Sequence, residues 1–404
     1  MISVEEALGH VLGCAKSLPE KRLPLGSALG LRLAEAIVSD VDSPPFDKAM
    51  LDGYALSVHD CSPTLRVTEE VIAGGVPSHA VERGTTVRVM TGAPVPNGAD
   101  VVIRHEDVQL VEESTIKFPV AGVVAGGGIM GRGTSFHRGQ EVLSAGKPLT
   151  PIDLALLAEL GKAKVVVTPR PQVAVLATGN ELVEAGQPVA PAQICNSNGP
   201  MLLALLESQR AATTDLGIGR DDSEELRTLM AEGLAADVLL ITGGVSAGVM
   251  DLVPGALAQL GVEKVFHKVR VKPGKPLWFG KIEQDNGRTL VFGMPGNPVS
   301  TLVSFELFVK PALMALGGED FAATTPLRGV LTEPTKHRGR RATYNPCRVD
   351  FGDYAAGELR VELLPWRGSA DLAAMTHATA LAILPAGDYE LAAGSEVEVL
   401  KLSC

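Results

Sequence analysis

The stretch VLLITGGVSAGVMD, at residues 238–251, decides the fold of this chain. It begins as an apolar run with β-branched residues, breaks at Gly243-Gly244 and reaches an acid at Asp251. A buried strand that ends in glycines is typical of open α/β sheets, where backbone N–H groups beyond the strand face an anionic ligand. The stretch therefore predicts a mostly parallel sheet with a ligand loop at its carboxyl edge.

The same pattern occurs in two further segments. QVAVLATGNEL, at residues 172–182, places a strand before a Thr-Gly pair and Glu181, and TLVFGMPGNPVS, at residues 289–300, ends a strand in a Gly/Pro/Asn turn. Between these segments lies KVRVKPGKP, at residues 268–276, which supplies three lysines. Because alternate residues of a strand share one face, positions 268, 270 and 272 would form a positive face. Glycine turns, acids and lysines together predict one site for a phosphorylated ligand and a metal.

Each of these features also has a structural explanation. A glycine pair follows many α/β strands, and a lysine face is often a solvated edge. Glu181 and Asp251, each taken alone, more often stabilise a helix N-terminus than bind a ligand. Asp221 and Asp222 precede a helical pattern and fit an N-cap region. The functional interpretation therefore depends on several motifs converging, and no single motif carries it.

Composition and charge exclude several classes of protein. The 404 residues predict more than one domain at roughly 100–200 residues each. With 36 basic and 47 acidic residues, the net charge of −11 argues against a nucleic-acid or membrane-surface partner. Five scattered cysteines without a C-x-x-C predict neither a zinc site nor a disulfide framework, and favour a reducing cytoplasm.

Targeting and membrane signals are not expected in this sequence. The N-terminus MISVEEALGH has acids where a signal peptide needs basic residues and an apolar core. No apolar run is expected to approach the roughly 20 residues that span a bilayer. We therefore expect a cytoplasmic protein without a membrane partner.

The order of elements predicts a multi-domain α/β plus β fold. Helices are expected from a capping box at Ser3 and Glu6, over residues 25–35, and after Thr150-Pro151. Short β segments with glycine and proline turns between residues 65 and 118 predict a small inserted β domain. Strands alternate with helices over residues 172–316, which predicts the parallel sheet, and the strand-rich remainder predicts a β barrel or sandwich.

Several linked motifs carry a family resemblance. TGNEL, SNGPML, GRDD, GGVSAGVMD, KPGKP and FGMPGNPVS follow one another in this order, flanked by PPFDKAMLDGYA, VRVMTGAPVPNGADVVI and WRGSADLAAMTHATALAILP. In this combination the chain resembles the molybdopterin molybdenumtransferases, which insert molybdenum into molybdopterin and are related to the E domain of gephyrin. The resemblance extends over nearly the whole chain.

The resemblance implies four domains and a homodimer. The domains would be an N-terminal helical and dimerisation domain at residues 1–45 and 137–168, an inserted β domain at 46–136, an α/β molybdopterin-binding domain at 169–325 and a C-terminal β barrel at 326–404. The active-site cleft would combine the α/β and barrel domains of one subunit with the inserted domain of the other. The substrates would be adenylylated molybdopterin and molybdate, with Mg²⁺ as cofactor and the molybdopterin-adenylating protein as a further partner.

The family's functional residues map onto this chain by motif. The implied catalytic residues are Asp52, Thr91, Glu181, Asp221 and Asp251, the last three also being candidate Mg²⁺ ligands. The implied residues for substrate and molybdate are Ser246, Lys268, Lys272, Lys275, Pro295, Asn297, Pro298, Arg348 and Ser369. Lysine, arginine and serine suit a dianion as hydrogen-bond donors, and Mg²⁺ prefers the oxygen ligands that carboxylates offer. Glu141 stands where the family often has an aspartate, and its role stays open.

Two alternatives from other functional classes remain. A nucleotide-pyrophosphate hydrolase of the same α/β type would use the same acids, but would not need Lys268, Arg348 and Ser369 together. A non-catalytic scaffold, as the relation to gephyrin permits, would not need the acids Glu181, Asp221 and Asp251. The sequence leaves open whether molybdate or tungstate is the working anion, because the two are nearly isosteric.

Overall fold

The computed structural model describes residues 1–60, 62–118, 122–245, 252–285, 287–319, 326–350 and 359–403. The chain forms two compact units: unit 1 consists of Met1–Lys21 and Thr168–Cys404, and unit 2 is Arg22–Val167. The multi-domain α/β plus β class expected from the sequence is confirmed, whereas the four domain boundaries stay a prediction.

The described helices and strands are numbered in chain order. The helices are α1 Val4–Cys14, α2 Pro151–Glu159, α3 Asn198–Ser208, α4 Ser223–Gly233, α5 Leu252–Gln259, α6 Pro298–Ser304, α7 Lys310–Leu316 and α8 Leu372–Met375. The strands up to the end of unit 2 are β1 Lys21–Pro24, β2 Arg32–Leu33, β3 Ile37–Val38, β4 Lys48–Ala49, β5 Gly53–Leu56, β6 Leu65–Val71, β7 Thr85–Val89, β8 Val101–Arg104, β9 Gln109–Glu112, β10 Thr115–Lys117, β11 Ile129–Met130, β12 Glu141–Leu143 and β13 Lys164–Thr168. Those that follow are β14 Gln172–Thr178, β15 Leu182–Val183, β16 Ile194–Cys195, β17 Ala212–Gly219, β18 Val238–Thr242, β19 Glu263–His267, β20 Val271–Lys272, β21 Trp278–Gln284, β22 Gly287–Met294, β23 Leu327–Leu331, β24 Thr335–Gly339, β25 Ala342–Val349, β26 Leu359–Leu363, β27 Ala380–Leu384, β28 Gly387–Leu391 and β29 Glu396–Lys401.

The central sheet of unit 1 has the strand order β17-β14-β18-β22-β21-β19. Its first four strands pair in parallel, and β21 and β19 are antiparallel additions. Both faces are covered, as a parallel sheet requires. Along β18, Val238 and Leu240 pack into the core that contains α1, α3, α6 and α7, whereas Leu239 and Ile241 pack beneath α4 and α5. This burial on both faces explains why the segment is continuously apolar.

The C-terminal strands of unit 1 form a closed β barrel. The order β25-β26-β23-β29-β27 returns to β25 through a direct β25–β27 pairing, so the five strands leave no free edge among themselves. The short strand β20, which belongs to the α/β segment by sequence, adds to β25 in parallel. The barrel thus carries Lys272, the last residue of β20, beside its own strands.

One helical segment of unit 1 differs from the sequence-based expectation. Pro298–Leu316 is a continuous helical run of 19 residues whose length and composition would suffice to cross a membrane, so the expectation of no apolar run near that length was wrong. However, 83% of this run is buried inside the protein, as for a core helix. A π-helical turn at Phe305–Val309 lies within it and buries Glu306, which bonds to Lys310 (3.3 Å) and to the Ser403 N–H (2.7 Å).

Unit 2 is built mainly of strands. Its largest sheet has the order β8-β5-β7-β6-β10-β9, in agreement with the β segments expected there. The helix after Thr150-Pro151 is confirmed as α2, with its capping box formed by Thr150 and Asp153. The helix expected over residues 25–35 was wrong: a single 3₁₀ turn, Leu25–Ser27, is followed by β2. Gly30 adopts a φ of +75°, a left-handed conformation that interrupts a helix.

Candidate functional site

Four parallel strands of unit 1 end at one edge of the central sheet. They are β14, β17, β18 and β22, and the loops that follow them carry the glycine turns predicted from the sequence. Backbone bonds connect these loops, since Gly243 N–H donates to the Met294 carbonyl (3.1 Å) and Gly179 N–H to the Gly219 carbonyl (3.2 Å). Ligands of open α/β sheets bind beyond this carboxyl edge.

Gly243 is required here by the close approach of two strand ends. It has a φ of +87°, and a Cβ at this position would lie 2.5 Å from the Thr178 carbonyl oxygen. Gly244 follows with a φ of +61°, which L side chains also rarely adopt. The glycine pair of the deciding stretch therefore lets the end of β18 lie directly against the end of β14.

A cavity of about 640 Å³ lies above this edge, between the sheet and the barrel of unit 1. Its lining combines strand-edge loops, the 272–276 turn and barrel loops: Thr178, Glu181, Leu182, Ile194, Asn198, Thr242, Gly243, Lys272, Pro273, Gly274, Lys275, Pro276, Pro295, Gly296, Asn297, Ser300, Arg341, Trp366, Gly368 and Ser369. Of the residues expected from the resemblance, it brings together Glu181, Lys272, Lys275, Pro295, Asn297 and Ser369.

The charge of this lining is opposite in sign to that of the chain. Lys272, Lys275 and Arg341 are cationic and Glu181 is its one acid, so the described lining carries a formal charge of +2 against −11 for the chain. Arg341 is fixed by a bond from its Nη1 to the Val271 carbonyl (2.9 Å). A cleft lined by one sign of charge concentrates ligands of the opposite sign. The cavity therefore suits an anionic ligand.

The barrel is bonded to the helix start at the mouth of the cavity. Asn297 Nδ2 donates to Ser369 Oγ (3.0 Å), and the Val299 N–H donates to the Ser369 carbonyl (3.0 Å). Pro298 is the first residue of α6, a position at which the N–H that proline lacks would have no partner within the helix. It does not line the cavity. These two bonds fix Ser369 relative to the Pro295–Asn297 turn.

Asn198 brings a buried polar atom to the cavity. Its side chain is 7% exposed, and its Nδ2 donates to the Gly296 carbonyl (2.7 Å). Among the described residues its Oδ1 has no hydrogen-bond partner. A buried amide oxygen without a partner costs free energy, which a ligand donor would recover.

Two of the three predicted acids lie near each other. The Glu181 carboxylate folds back over Gly179, where a Cβ would meet Glu181 Oε2 at 2.4 Å. Asp221 and Asn180 form a reciprocal pair, with Asn180 N–H bonded to Asp221 Oδ2 (3.3 Å) and Asp221 N–H to Asn180 Oδ1 (3.1 Å). The neighbouring Asp222 caps α4. Asp221 is exposed and does not line the cavity, and Asp251 lies outside the described residues, as does Ser246.

Two predicted cations occupy other positions. Strand β19 ends at His267, and Lys268 has a φ of +73°, so the predicted strand face of residues 268, 270 and 272 does not form. Lys268 does not line the cavity. Arg348 lies on the outer face of the barrel, half exposed and paired with Glu362 (3.2 Å). The structure instead supplies Arg341, seven positions earlier in the sequence, to the cavity.

A second cavity of about 650 Å³ adjoins the first on the barrel side. The two share Lys272, Trp366 and Gly368 in their linings. The second lining also contains Lys336, Arg338 and Arg367, so it too is rich in cations. Lys336 is engaged by Glu390 at 2.7 Å.

Asp52 and Thr91 lie in unit 2, where they contact each other. Asp52 Oδ1 accepts bonds from both the backbone N–H and the hydroxyl of Thr91, each at 2.7 Å. These bonds, first from the N–H and then from the hydroxyl, lower the pKa of Asp52 below its ordinary value. An exposed aspartate with a depressed pKa stays an anion throughout the neutral range.

Sequence reasoning missed six polar or aromatic residues of the cavity, namely Thr178, Asn198, Thr242, Ser300, Arg341 and Trp366. Asn198 and Trp366 belong to motifs that carry the resemblance, SNGPML and WRGSADL, which could have drawn attention to them. Arg341 follows two other arginines, Arg338 and Arg340, in the RGRR stretch, where no spacing singles it out.

Comparisons with known proteins agree along the whole chain. Residues 2–161 match the family described as "MoeA N-terminal region (domain I and II)". Residues 174–315 match the family described as "Probable molybdopterin binding domain", and residues 328–402 match the one described as "MoeA C-terminal region (domain IV)". A molybdopterin molybdenumtransferase of Synechococcus elongatus is 35% identical, with 100% of both chains covered, and one of Haemophilus influenzae is 34% identical over 99% of this chain and 98% of that protein. The crystal structure of a molybdopterin biosynthesis MoeA protein from Pyrococcus horikosii superposes with a TM-score of 0.81 at 31% identity, covering 100% of this chain and 99% of that one.

The hydrogen bonds between Thr91 and Asp52 can be tested directly. Replacing Thr91 by valine removes the hydroxyl donor but keeps the backbone N–H, so we expect the pKa of Asp52 to rise part of the way toward its ordinary value of about 3.9. Thr91→Ser keeps both donors and should leave the pKa lowered. Carboxyl ¹³C shifts in an NMR pH titration measure the change, and an unchanged pKa in Thr91→Val would contradict the assigned bonds.

Proposed function

Because the chain belongs to the molybdopterin molybdenumtransferase family, we propose that it transfers molybdenum from molybdate to adenylylated molybdopterin with release of AMP. The observation that carries the proposal is the cavity in which the carboxylate of Glu181 and three cations line one space. A pyrophosphate and an oxyanion are both multiply charged anions, and such a lining offers them charge-assisted hydrogen bonds.

The oxyanion would bind on the barrel side of the cavity. Lys272 provides a compact charge, Arg341 a planar fork of donors, and Ser369 a hydroxyl held beside Asn297. Because Arg341 already donates one N–H to the Val271 carbonyl, its orientation is fixed before the ligand arrives. A preorganised donor loses less conformational entropy on binding, which favours a tetrahedral dianion such as molybdate.

The pyrophosphate would bind at the strand-edge side, beside the acid. Glu181 there, with Asp221 near it, fits Mg²⁺, which takes oxygen ligands and is usually held by one or two carboxylates plus substrate phosphates. No group of three or more His, Cys, Asp or Glu side chains among the described residues forms a complete protein cage, and Asp251 is the predicted third acid. When bound, Mg²⁺ supplies charge neutralisation at the pyrophosphate oxygens.

The reaction would join the chemistry of the pyrophosphate side of the cavity to that of the oxyanion side. Water would cleave the pyrophosphate bond of the adenylate, giving AMP and the free phosphate of molybdopterin. The two dithiolene thiols would bind molybdenum and give their protons to one oxygen of molybdate, which leaves as water. Glu181 would orient the attacking water, either directly or through the Mg²⁺ that it helps to hold. Lys272 and Arg341 would hold the molybdate next to the dithiolene of molybdopterin. The Gly179 and Gly243 N–H groups already donate to the Gly219 and Met294 carbonyls, so they hold the strand ends together beneath the cavity.

We further infer that the working form is a homodimer in the reducing cytoplasm. Unit 2 exposes large apolar side chains that a partner surface would cover, including Val38, Met50, Ile72, Val76 and Ile152. Cys14, Cys195 and Cys347 are free thiols, which suits a reducing compartment. The adenylylated substrate would come from a molybdopterin-adenylating protein.

Measuring AMP tests the proposal. Purified protein is incubated with adenylylated molybdopterin, Mg²⁺ and molybdate, and both AMP and active cofactor are quantified. We expect Glu181→Gln to lower the rate of AMP formation by about a hundredfold or more, because it removes a charge aimed at the reacting group. Glu184→Gln, an exposed carboxylate outside the cavity, is the matched control and should retain the rate. Equal rates in the two variants would refute the role of Glu181, and AMP release without cofactor formation would favour a hydrolase.

Two arginines of the barrel segment give a second, internally controlled test. Arg341→Ala should raise the half-saturating molybdate concentration by about tenfold to a hundredfold, the usual worth of a charged hydrogen bond. Arg348→Ala should leave it unchanged, because Arg348 pairs with Glu362 outside the cavity. The opposite result would return the oxyanion role to Arg348, as the sequence had predicted.

A further inference from the structure

We propose that Trp366 and Asn198 hold a flat heterocycle that bears N–H groups, with Trp366 against its face and Asn198 at its edge. This inference rests on the proposed function, because adenylylated molybdopterin carries two such ring systems, a pterin and an adenine. It adds the part of the site that recognises the uncharged rings, which neither the acids nor the lysines can do.

Trp366 is placed to serve as a stacking surface. It is the one aromatic side chain in the described lining of the first cavity, and it also lines the adjoining one. The side chain is half-buried and packs against the core of unit 1, so one part of the indole is anchored while another part faces the open space. With aromatics at only 4% of the chain, this exposed surface is uncommon in the protein.

The indole is fixed in orientation, and its only polar atom is already used. Trp366 Nε1 donates to Asn345 Oδ1 (2.8 Å), and Asn345 Nδ2 in turn donates to the Pro346 carbonyl (2.9 Å). An indole has no acceptor and a single N–H, so nothing polar is left to offer a ligand. What Trp366 offers a ligand is therefore apolar and π contact alone, and a planar ring is the ligand group that suits such contact.

Asn198 supplies the complementary polar contact. Because the Gly296 carbonyl can only accept, the amide nitrogen of Asn198 must be the atom facing it at 2.7 Å. The amide oxygen then points elsewhere and, in a side chain only 7% exposed, has no partner among the described residues. A ligand N–H would complete its hydrogen bonding. The serines and lysines of the lining donate hydrogen bonds to an anion, whereas the Asn198 oxygen can only accept one, so it suits a different group of the ligand.

Adenine and pterin share the chemistry that this pair recognises. Each is a fused bicyclic ring with a π face and an exocyclic amine, and pterin has an additional ring N–H. Stacking is tolerant of ring identity because every such base has a π face. The two ring systems are therefore distinguished by experiment, with AMP and 6-hydroxymethylpterin as separate probes.

The test measures equilibrium binding of each probe by titration calorimetry. We expect Trp366→Ala to raise the Kd of one probe by about tenfold to a hundredfold, which is the usual effect of replacing an aromatic side chain that stacks on one base by alanine. Trp366→Phe keeps an aromatic face and should retain most of that affinity. Trp278, the other tryptophan, lies in the sheet core outside the cavity, so Trp278→Phe is the matched control and should leave the Kd unchanged.

Asn198→Ala provides an independent variant at the ring edge. It should weaken the same probe that Trp366→Ala weakens, by about tenfold for one lost hydrogen bond. An effect confined to AMP assigns the site to the adenine, and one confined to the pterin assigns it to the pterin. If wild-type protein binds neither probe, or if Trp366→Ala leaves both Kd values unchanged, the proposal is overturned.

Binding and turnover separate this inference from the proposed function. The probes contain neither molybdenum nor a cleavable pyrophosphate, so their affinity does not depend on catalysis. Loss of probe binding in Trp366→Ala together with no AMP release by the wild type would support the ring site and overturn the proposed reaction. Normal AMP release by the wild type, with an unaltered KM for the adenylylated substrate in Trp366→Ala, would support the proposed reaction and overturn the ring site.

Discussion

The pairing of β20 with the barrel strand β25 is the interaction on which the cavity depends. Val271 and Lys272 follow the antiparallel strand β19 in sequence, yet they bond to Ala342 and Thr343 of the barrel. Arg341 strengthens this junction by donating to the Val271 carbonyl. The same two-residue strand thus closes the space between sheet and barrel and positions Lys272 within it. On the opposite side, the bonds from Asn297 and Val299 to Ser369 perform the equivalent task.

The cavity separates its charges by structural origin. Its acid comes from a strand-edge loop, its two lysines from the end of β20 and the turn after it, and its arginine from the position just before β25. If the acid, the lysine pair and the arginine had all come from one loop, that loop would need to be ordered by ligand binding. Placed on separate rigid elements, they are held apart by the fold itself, so little ordering has to accompany ligand binding.

The sheet and its ligand edge could be predicted because their causes are local. Continuous apolar runs such as residues 238–242 mark strands buried on both faces, and the glycines after them are required by close backbone approach at Gly243. The helix expected over residues 25–35 failed because its apolar spacing was helical while Gly30 imposed a left-handed turn. The strand face predicted for residues 268, 270 and 272 does not form for a related reason, since β19 ends one residue before Lys268.

The arginine of the site could not be found by local reasoning. Arg341 and Arg348 lie on one stretch of the barrel, and only the β20–β25 pairing and the closure of the barrel decide which of them reaches the cavity. Asn198 was equally hidden, because its significance lies in an acceptor left unpaired by tertiary packing. Long-range contacts of this kind have no signature in residue spacing.

We expect the sheet-edge loops and the barrel loops to bind one anionic substrate together. The most direct measurement is an anomalous difference map from crystals of the protein soaked with tungstate, a near-isostere of molybdate whose heavy atom locates the oxyanion. The account predicts a tungsten peak within hydrogen-bonding distance of Lys272, Arg341 and Ser369. A peak beside Arg348 on the outer face of the barrel, with none in the cavity, would contradict it.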